Sequence, residues 1–364
     1  MKSNEHISIF YEGQDDLAEI LATSICSICY NTKSFVDFFI LDCGISNFNK
    51  KMINSLKDKF DNFSIEYIPV DFSQFEGLKG WPPGSNFLDC YSRLLIPELK
   101  KDLDKAIYLD SDVIALDDIY KLWNEDIEDY DFGACPDIGY NEFFQENCVK
   151  NLGVDKKHIY ANAGVLLINC KKWRDKNISN KLIKIAKDNR DNILVIIEDI
   201  LSILYNGNNY KILNNRYNIT DRTNEIGRIN ADYVNSEYMN NEWKNVVLQH
   251  LSPGKAWKLL KNNYNNRELK FFSAFWFFAH MTPYYYGMVN KYIFYTNELL
   301  MIHFYSLYRD ERRNTSFSLL SKEYIKKFIK NIPLIESILP VGSRRREFVK
   351  KVVKNLRAIL AKKN

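Results

Sequence analysis

Asp110 and Asp112 stand one residue apart at the end of the apolar run Ala106-Ile-Tyr-Leu, with Val113-Ile-Ala-Leu following. Paired carboxylates at the end of a strand are ligands for a hard divalent cation such as Mg²⁺ or Mn²⁺, which could bridge the protein to a substrate diphosphate. Asp-x-Asp alone is weak, since a chain of this length should contain about one by chance. Three occur here. Asp102/Asp104 lies in a Lys-rich connection and Asp129/Asp131 in an acidic loop, so context singles out Asp110/Asp112.

A second group of candidates lies downstream. Glu198 and Asp199 interrupt an apolar run over 193–204. A buried acidic pair is costly without partners, which suits contacts to a metal, sugar or hydroxyl; the plainer alternative is a carboxylate pair at a helix N-terminus. His250 follows the apolar Val246-Val-Leu and precedes Ser-Pro-Gly254-Lys255-Ala-Trp257. A lone histidine is usually structural. Here a flexible turn, a phosphate-seeking cation and an aromatic stand beside it, which favours function.

The elements that must hold these residues alternate. Apolar runs at 7–10, 36–41 and 65–70 are separated by helical patterns over 16–30 and 48–60; a loop at 77–84 and a helix over 87–99 lead to the Asp110 strand. Such alternation predicts an α/β fold with parallel strands and crossover helices, and puts the carboxylates at the strand end where open α/β sheets bind ligands. A further buried strand, 160–169, contains Asn162-Ala-Gly164. No Gly-x-Gly-x-x-Gly or Walker lysine loop is present, so a bound nucleotide would need a metal to hold its phosphates.

Composition narrows the class. The 364 residues are 46% hydrophobic and 26% charged, the signature of a globular protein. Thirteen Lys and Arg against three Glu over 321–364 put +10 in the tail, leaving −6 for residues 1–320. The tail's Phe348, Val349, Val352, Val353, Leu356, Ile359 and Leu360 recur at helical spacing, a basic amphipathic helix whose natural partner is an anionic membrane surface. Its alternatives are a helix packed on the domain and an oligomer contact. Nucleic acid is not expected, because no recognisable module accompanies the basic run. Seven scattered cysteines, no apolar leader and no long apolar span predict a cytoplasmic protein, peripheral to the membrane's inner face at most. Cys26-Ser-Ile-Cys29 reads as core packing over a dithiol. The organisation expected is a catalytic domain over 1–265 and an aromatic, then basic, helical extension over 266–364.

Together, Tyr91-Ser-Arg93-Leu, Tyr108-Leu-Asp110-Ser111-Asp112-Val, Asn162-Ala-Gly-Val-Leu-Leu-Ile-Asn169, Asp199-Ile-Leu, the 213–218 stretch ending Arg-Tyr-Asn, and His250 with Lys255 and Trp257 resemble glycosyltransferase family 8 over roughly residues 7–257. Within that family the chain resembles particularly the bacterial lipooligosaccharide galactosyl- and glucosyltransferases. The resemblance implies a GT-A fold, a mixed sheet flanked by helices, and a retaining transfer of hexose from a UDP-sugar to a saccharide acceptor such as lipopolysaccharide core. It further implies that Asp110, Asp112 and His250 bind Mn²⁺ or Mg²⁺, with Ser111 beside the diphosphate. Arg93, Asn162 and Glu198 would face the donor sugar, with Asp199 alongside and Asp137 near the donor or acceptor sugar. Gly254 and Lys255 would close over the phosphates. The acidic stretch Gln14-Asp15-Asp16 falls where the family contacts uridine, with Tyr11 as the substitute aromatic. Where the family reads Asp-Gln-Asp, this chain reads Ile197-Glu198-Asp199, and its His-to-Lys loop is one residue shorter. Two rival functions follow: a sugar-nucleotide binder without transfer, and a metal-dependent nucleotidyl- or phosphotransferase.

Overall fold

The computed structural model describes residues 6–80, 85, 87–137, 142–220, 242, 244–252, 255 and 266–293. The sheet strands are β1 (His6–Gly13), β2 (Phe35–Asp42), β3 (Phe63–Pro69), β4 (Lys105–Leu109), β6 (Phe132–Pro136), β7 (Ala161–Asn169) and β8 (Lys211–Ile212); β5 (Val113–Ala115) pairs with β9 (Leu248–His250) in a separate ribbon. The seven-stranded order is β3-β2-β1-β4-β7-β6-β8. All neighbours are parallel except β7, which runs antiparallel to both β4 and β6.

That reversal brings the site residues together. Because β7 runs backwards, its first residues lie beside the C-terminal ends of β4 and β6: Leu109 faces Val165, Cys135 faces Asn162, and the Asp110 N–H donates to the Gly164 carbonyl at 2.8 Å. Glu12 on β1, Asp110 after β4, Asp137 after β6 and Asn162 on β7 therefore share one edge of the sheet. The strands are hydrophobic on both faces, as expected of a sheet covered by helices.

Helix α1 (Ala18–Asn31) is buried along eleven of its fourteen residues, more than an amphipathic surface helix would be. Its small polar side chains are satisfied by the free backbone of β5. The Ser24 hydroxyl donates to the Val113 carbonyl at 2.5 Å, Ser27 Oγ accepts the Ala115 N–H at 2.8 Å, and Asn31 Nδ2 donates to the Ala115 carbonyl at 2.9 Å. Those bonds hold β5, and β5 holds β9 and His250 by the pair Val113–His250. Cys26 and Cys29 lie in the α1 core as free thiols, and burial pushes Cys26 up to about 12.

Helix α2 (Asn47–Asn54) is N-capped by Ser46, whose Oγ accepts the Asn49 N–H. The helix expected over 87–99 is instead a 3₁₀ segment, Asp89–Leu95, leading into one short α-turn, Ile96–Leu99. Pro97 has no N–H to bond back to the Arg93 carbonyl, which accepts the Ile96 N–H instead and tightens the turn. The packing layer beneath β7 and β4 is completed by Cys170–Asp175, Ile178–Asp188 and Ile196–Leu204, whose Trp173, Leu182, Ile196 and Ile200 are buried in one core with Phe132 and Leu166.

The chain divides into two compact units, Met1–Lys255 with Phe278–Tyr284, and Ala256–Phe277 with Tyr285–Asn364. Within the first, Tyr284 donates to Asn49 Oδ1 at 2.9 Å and Lys59 to the Met281 carbonyl at 2.5 Å. Among the described residues no helix is long and apolar enough to cross a membrane. The amphipathic tail and Gly254 with Trp257 lie outside the described residues.

Candidate active site

Asp110, Asp112 and His250 each offer a ligand atom within 4.8 Å of the others, and no other such group of three occurs among the described residues. His250 Nε2 lies 3.6 Å from Asp110 Oδ2 and 3.3 Å from Asp112 Oδ1. Two carboxylates and one imidazole form an oxygen-rich donor set that suits Mn²⁺ or Mg²⁺. The space beside them is open because residue 164 is glycine. A Cβ there would stand 2.3 Å from His250 Cε1 and 2.9 Å from Asp110 Oδ2.

Asp112 is 8% exposed and His250 4%. Burial opposes the Asp112 charge, but Lys255 and His250 outweigh it and hold the carboxyl well below its usual range. Burial likewise opposes charge on His250, and Asp112 and Asp110 reverse this and raise it. The Lys255 ammonium pairs with Asp112 Oδ2, so the cation expected near the phosphates sits against the carboxylate cluster.

Arg93 is the second focus. Its guanidinium lies 3.1 Å from Asp110 Oδ1 and 3.4 Å from Glu12 Oε2, donates to the Ala163 and Cys90 carbonyls at 3.0 Å, and stacks 4.1 Å from the Tyr108 ring centroid. Tyr108 in turn donates to Asp110 Oδ1 at 2.8 Å. Asp110 is thus aimed by two donors on its Oδ1, leaving Oδ2 toward His250. Glu12 was not singled out in the sequence. It is oriented by Gln14 Nε2 at 2.9 Å, and burial, only partly offset by Arg93, lifts its carboxyl to about 7.

A chain of amides runs from the cluster toward the remaining candidates. His250 Nδ1 lies 3.1 Å from Asn218 Oδ1; Asn218 Nδ2 donates to Asn162 Oδ1 at 2.7 Å; Asn162 Nδ2 donates to Asp137 Oδ2 at 3.2 Å. Glu198, in the first turn of its helix, accepts the Ala163 N–H at 3.4 Å. Burial raises its carboxyl to about 7 against the lowering effect of Arg93, with Asp137 and Asp110 adding to the rise. Arg93, Asp110, Asp112, Asn162, Asp137, Glu198, His250 and Lys255 therefore belong to one connected region.

The other candidates are placed differently. Asp199 is 1% exposed and fully engaged: Oδ2 accepts the Leu194 and Val195 N–H groups at 2.7 and 3.0 Å, and Oδ1 accepts Tyr160 at 2.6 Å. It caps the entry to its helix and ties it to the start of β7. Tyr11, far from offering an open ring, is wholly buried, its hydroxyl 2.7 Å from Ser24 Oγ. Asp15 accepts the Ser46 N–H and Asn49 Nδ2, both at 2.7 Å, while Asp16 is exposed. Gln14 bridges Glu12 and Asp89. Ser111 donates to the Glu12 carbonyl at 3.0 Å, joining the β4 end to β1. The rejected Asp-x-Asp pairs are structural or peripheral: Asp131 pairs with Lys176 at 2.6 Å and Tyr205 at 3.2 Å, and Asp104 with Arg174 at 3.3 Å.

A mixed sheet with one reversed strand, and a carboxylate pair at its central strand end, is the GT-A architecture of glycosyltransferases. Residues 8–260 match the model of Glycosyl transferase family 8, and the chain belongs to that family. It is 26% identical to an active-site mutant of LgtC, with a TM-score of 0.62 over 76% of this chain and 96% of that one; LgtC has also been solved with donor and acceptor sugar analogues as a galactosyltransferase. The bifunctional glycosyltransferase WbbM shares the fold, with a TM-score of 0.66 at 18% identity over 80% of this chain and 52% of that one. Among sequence relatives, a Haemophilus influenzae protein named for glycosyltransferase activity is 32% identical over 60% of this chain and 64% of its own length. General stress protein A of Bacillus subtilis is 30% identical over 56% of this chain and 71% of its own.

Proposed function

We propose that this protein is a metal-dependent, retaining hexosyltransferase that moves galactose or glucose from a UDP-sugar to a saccharide acceptor, such as lipopolysaccharide core or another surface glycan. The observation that carries this reading is the Asp110–Asp112–His250 cluster beside Arg93, Asn162 and Glu198 at one sheet edge. Asp110, Asp112 and His250 would hold Mn²⁺ or Mg²⁺, and a bound divalent ion supplies Lewis-acid neutralisation of the charge that develops as a diphosphate leaves. Lys255, already seated at Asp112, adds a cation where that charge forms.

The protein's own groups then orient the sugar. Asn162 and Asp137 present an amide and a carboxylate to hydroxyls, and Arg93 fixes Asp110 and the Ala163 carbonyl, so the walls of the sugar pocket are rigid. Glu198 is positioned by the Ala163 N–H, and its carboxyl near 7 leaves it able to accept or keep a hydroxyl proton at neutral pH. Retention follows if the acceptor hydroxyl attacks the anomeric carbon on the face from which UDP departs. The C–O bond to UDP breaks, the new glycosidic bond forms, and the acceptor proton passes to the leaving phosphate oxygen, so no separate base is required. Seven free cysteines support a reducing, cytoplasmic setting. The basic tail is assigned to an anionic membrane surface, where lipid-linked acceptors are built.

UDP release from a panel of UDP-hexoses, with and without Mn²⁺, tests this reading. Mn²⁺-dependent release from one hexose is expected, and its loss in Asp112→Ala and Gly164→Ala, the latter because a Cβ displaces His250. UDP-sugar binding with no release, with or without a saccharide acceptor, would instead identify a binder without transfer. Nucleotide or phosphate appearing in the product would identify the phosphotransferase class.

A further inference from the structure

Asn218 is buried, and its side-chain amide joins the two ends of the site. The direction of that amide follows from its neighbours. Asn162 Oδ1 accepts the Gly164 N–H at 3.0 Å as well as Asn218 at 2.7 Å, so a carbonyl oxygen faces Asn218 and the group opposite it must be a donor, Nδ2. Asn218 Oδ1 consequently points to His250 Nδ1, 3.1 Å away, and only an Nδ1–H can satisfy it. Nε2, the nitrogen that faces Asp110 and Asp112, is then the one left to give its lone pair to a cation held there. The same logic turns Asn162 Nδ2 toward Asp137.

The backbone holds Asn218 as firmly as its side chain does. Its N–H donates to the Asn215 carbonyl at 2.8 Å. The next residue, Ile219, donates to the Leu248 carbonyl at 3.1 Å and accepts the His250 N–H at 2.8 Å. Ring and amide therefore ride on one stitched pair of segments, and neither can turn without breaking a buried bond.

We propose that Asn218 is a positioning residue that sets, through one amide, both the tautomer of His250 and the orientation of Asn162, and so couples cation binding to sugar binding. The cation arm rests on the metal-dependent reading above; the tautomer arm does not. Orienting partners of this kind are worth about 10- to 100-fold in metal affinity.

The test uses the full chain with Asn218→Leu, which removes both bonds, and Asn218→Asp, which keeps the acceptor facing His250 and removes the donor to Asn162. Nitrogen NMR of the histidine rings should show a hydrogen-bonded Nδ1–H on His250 in the natural chain and in Asn218→Asp, and the loss of that hydrogen bond in Asn218→Leu. Mn²⁺ titration in the presence of UDP, followed by electron paramagnetic resonance, should show an affinity loss of about 10- to 100-fold in Asn218→Leu and only a few-fold in Asn218→Asp. Calorimetry should show Asn218→Asp losing the difference in affinity between UDP-hexose and UDP. A His250 Nδ1 without a proton in the natural chain, or an Asn218→Leu variant matching it in the Nδ1–H hydrogen bond and Mn²⁺ affinity, overturns the proposal. A natural chain that binds no Mn²⁺ yet loses its Nδ1–H hydrogen bond in Asn218→Leu would refute the metal reading and support the role of Asn218.

Discussion

Arg93 and Glu198 show how a single buried charge can be settled in two ways. Arg93 keeps its charge because Tyr108, Asp110 and Glu12 together overcome the effect of burial. At Glu198 burial outweighs the lowering effects of Arg93 and of backbone hydrogen bonding, and its carboxyl rises from 4.5 to about 7. The sign of the stability effect follows directly. Below about pH 4.5 the group is protonated folded or unfolded; between 4.5 and 7 the unfolded chain ionises while the folded one keeps its proton, so folding loses free energy as pH rises and the loss levels off above 7. Glu198→Gln, which keeps an acceptor for the Ala163 N–H, should match the natural chain near pH 4.5 and exceed its stability by on the order of 3 kcal/mol at pH 8. Urea unfolding across that range reads the gap, and a constant gap would mean that Glu198 titrates normally. Turnover should fall in the same variant if the carboxylate positions sugar.

Elements, more than residues, decide where the acidic pair after Ile197 points. Glu198 and Asp199 are neighbours in one helical turn, so their side chains diverge by about 100° around the axis. One reaches the sheet edge, and the other turns inward to Tyr160 and the Leu194 and Val195 N–H groups. Asp199 thereby fixes the entry angle of the helix that carries Glu198. Asp199→Ala strands two backbone donors and a buried hydroxyl. It should cost about 2–4 kcal/mol in chemical denaturation, with turnover falling because Glu198 is misplaced. A variant as stable as the natural chain but inactive would instead make Asp199 a direct participant. Both the acidic pair and its helix-start alternative were legible in the sequence. The sequence does not say which carboxylate serves which role, because that depends on Tyr160 thirty-nine positions away.

At the scale of the whole molecule, charge is divided between an acidic body and a basic tail. Residues 1–320 carry −6 and residues 321–364 carry +10. A tail of that charge gains on the order of 1 kcal/mol per basic residue close to an anionic bilayer, and its attraction is screened by salt. Truncation after Pro340 removes Arg344, Arg345 and Arg346 and most of the remaining lysines. It should abolish most co-sedimentation with anionic vesicles while leaving UDP release in solution measurable; equal sedimentation of both chains would end the membrane assignment.

Local signals already carried the strand pattern, the carboxylates after Leu109 and the unusual company of His250. Alternation of apolar runs and the placement of acids at their ends are properties of neighbours in the chain. The reversal of β7, by contrast, is a pairing choice between residues about sixty apart on the β4 side and about twenty-five to thirty-six apart on the β6 side, and it sets Asn162 beside Asp110 and Asp137. Tyr11 illustrates the same limit: as a residue after a strand-like run it could face a ligand, and it is buried because α1 packs over it and supplies Ser24. Glu12 lacked any local mark of function, and Gly164 and Asn218 were marked only as members of family motifs, since each acquires its part only from a partner brought by the fold. Hydrophobic patterning is written residue by residue, whereas a hydrogen bond between distant side chains exists only once packing has set the distance.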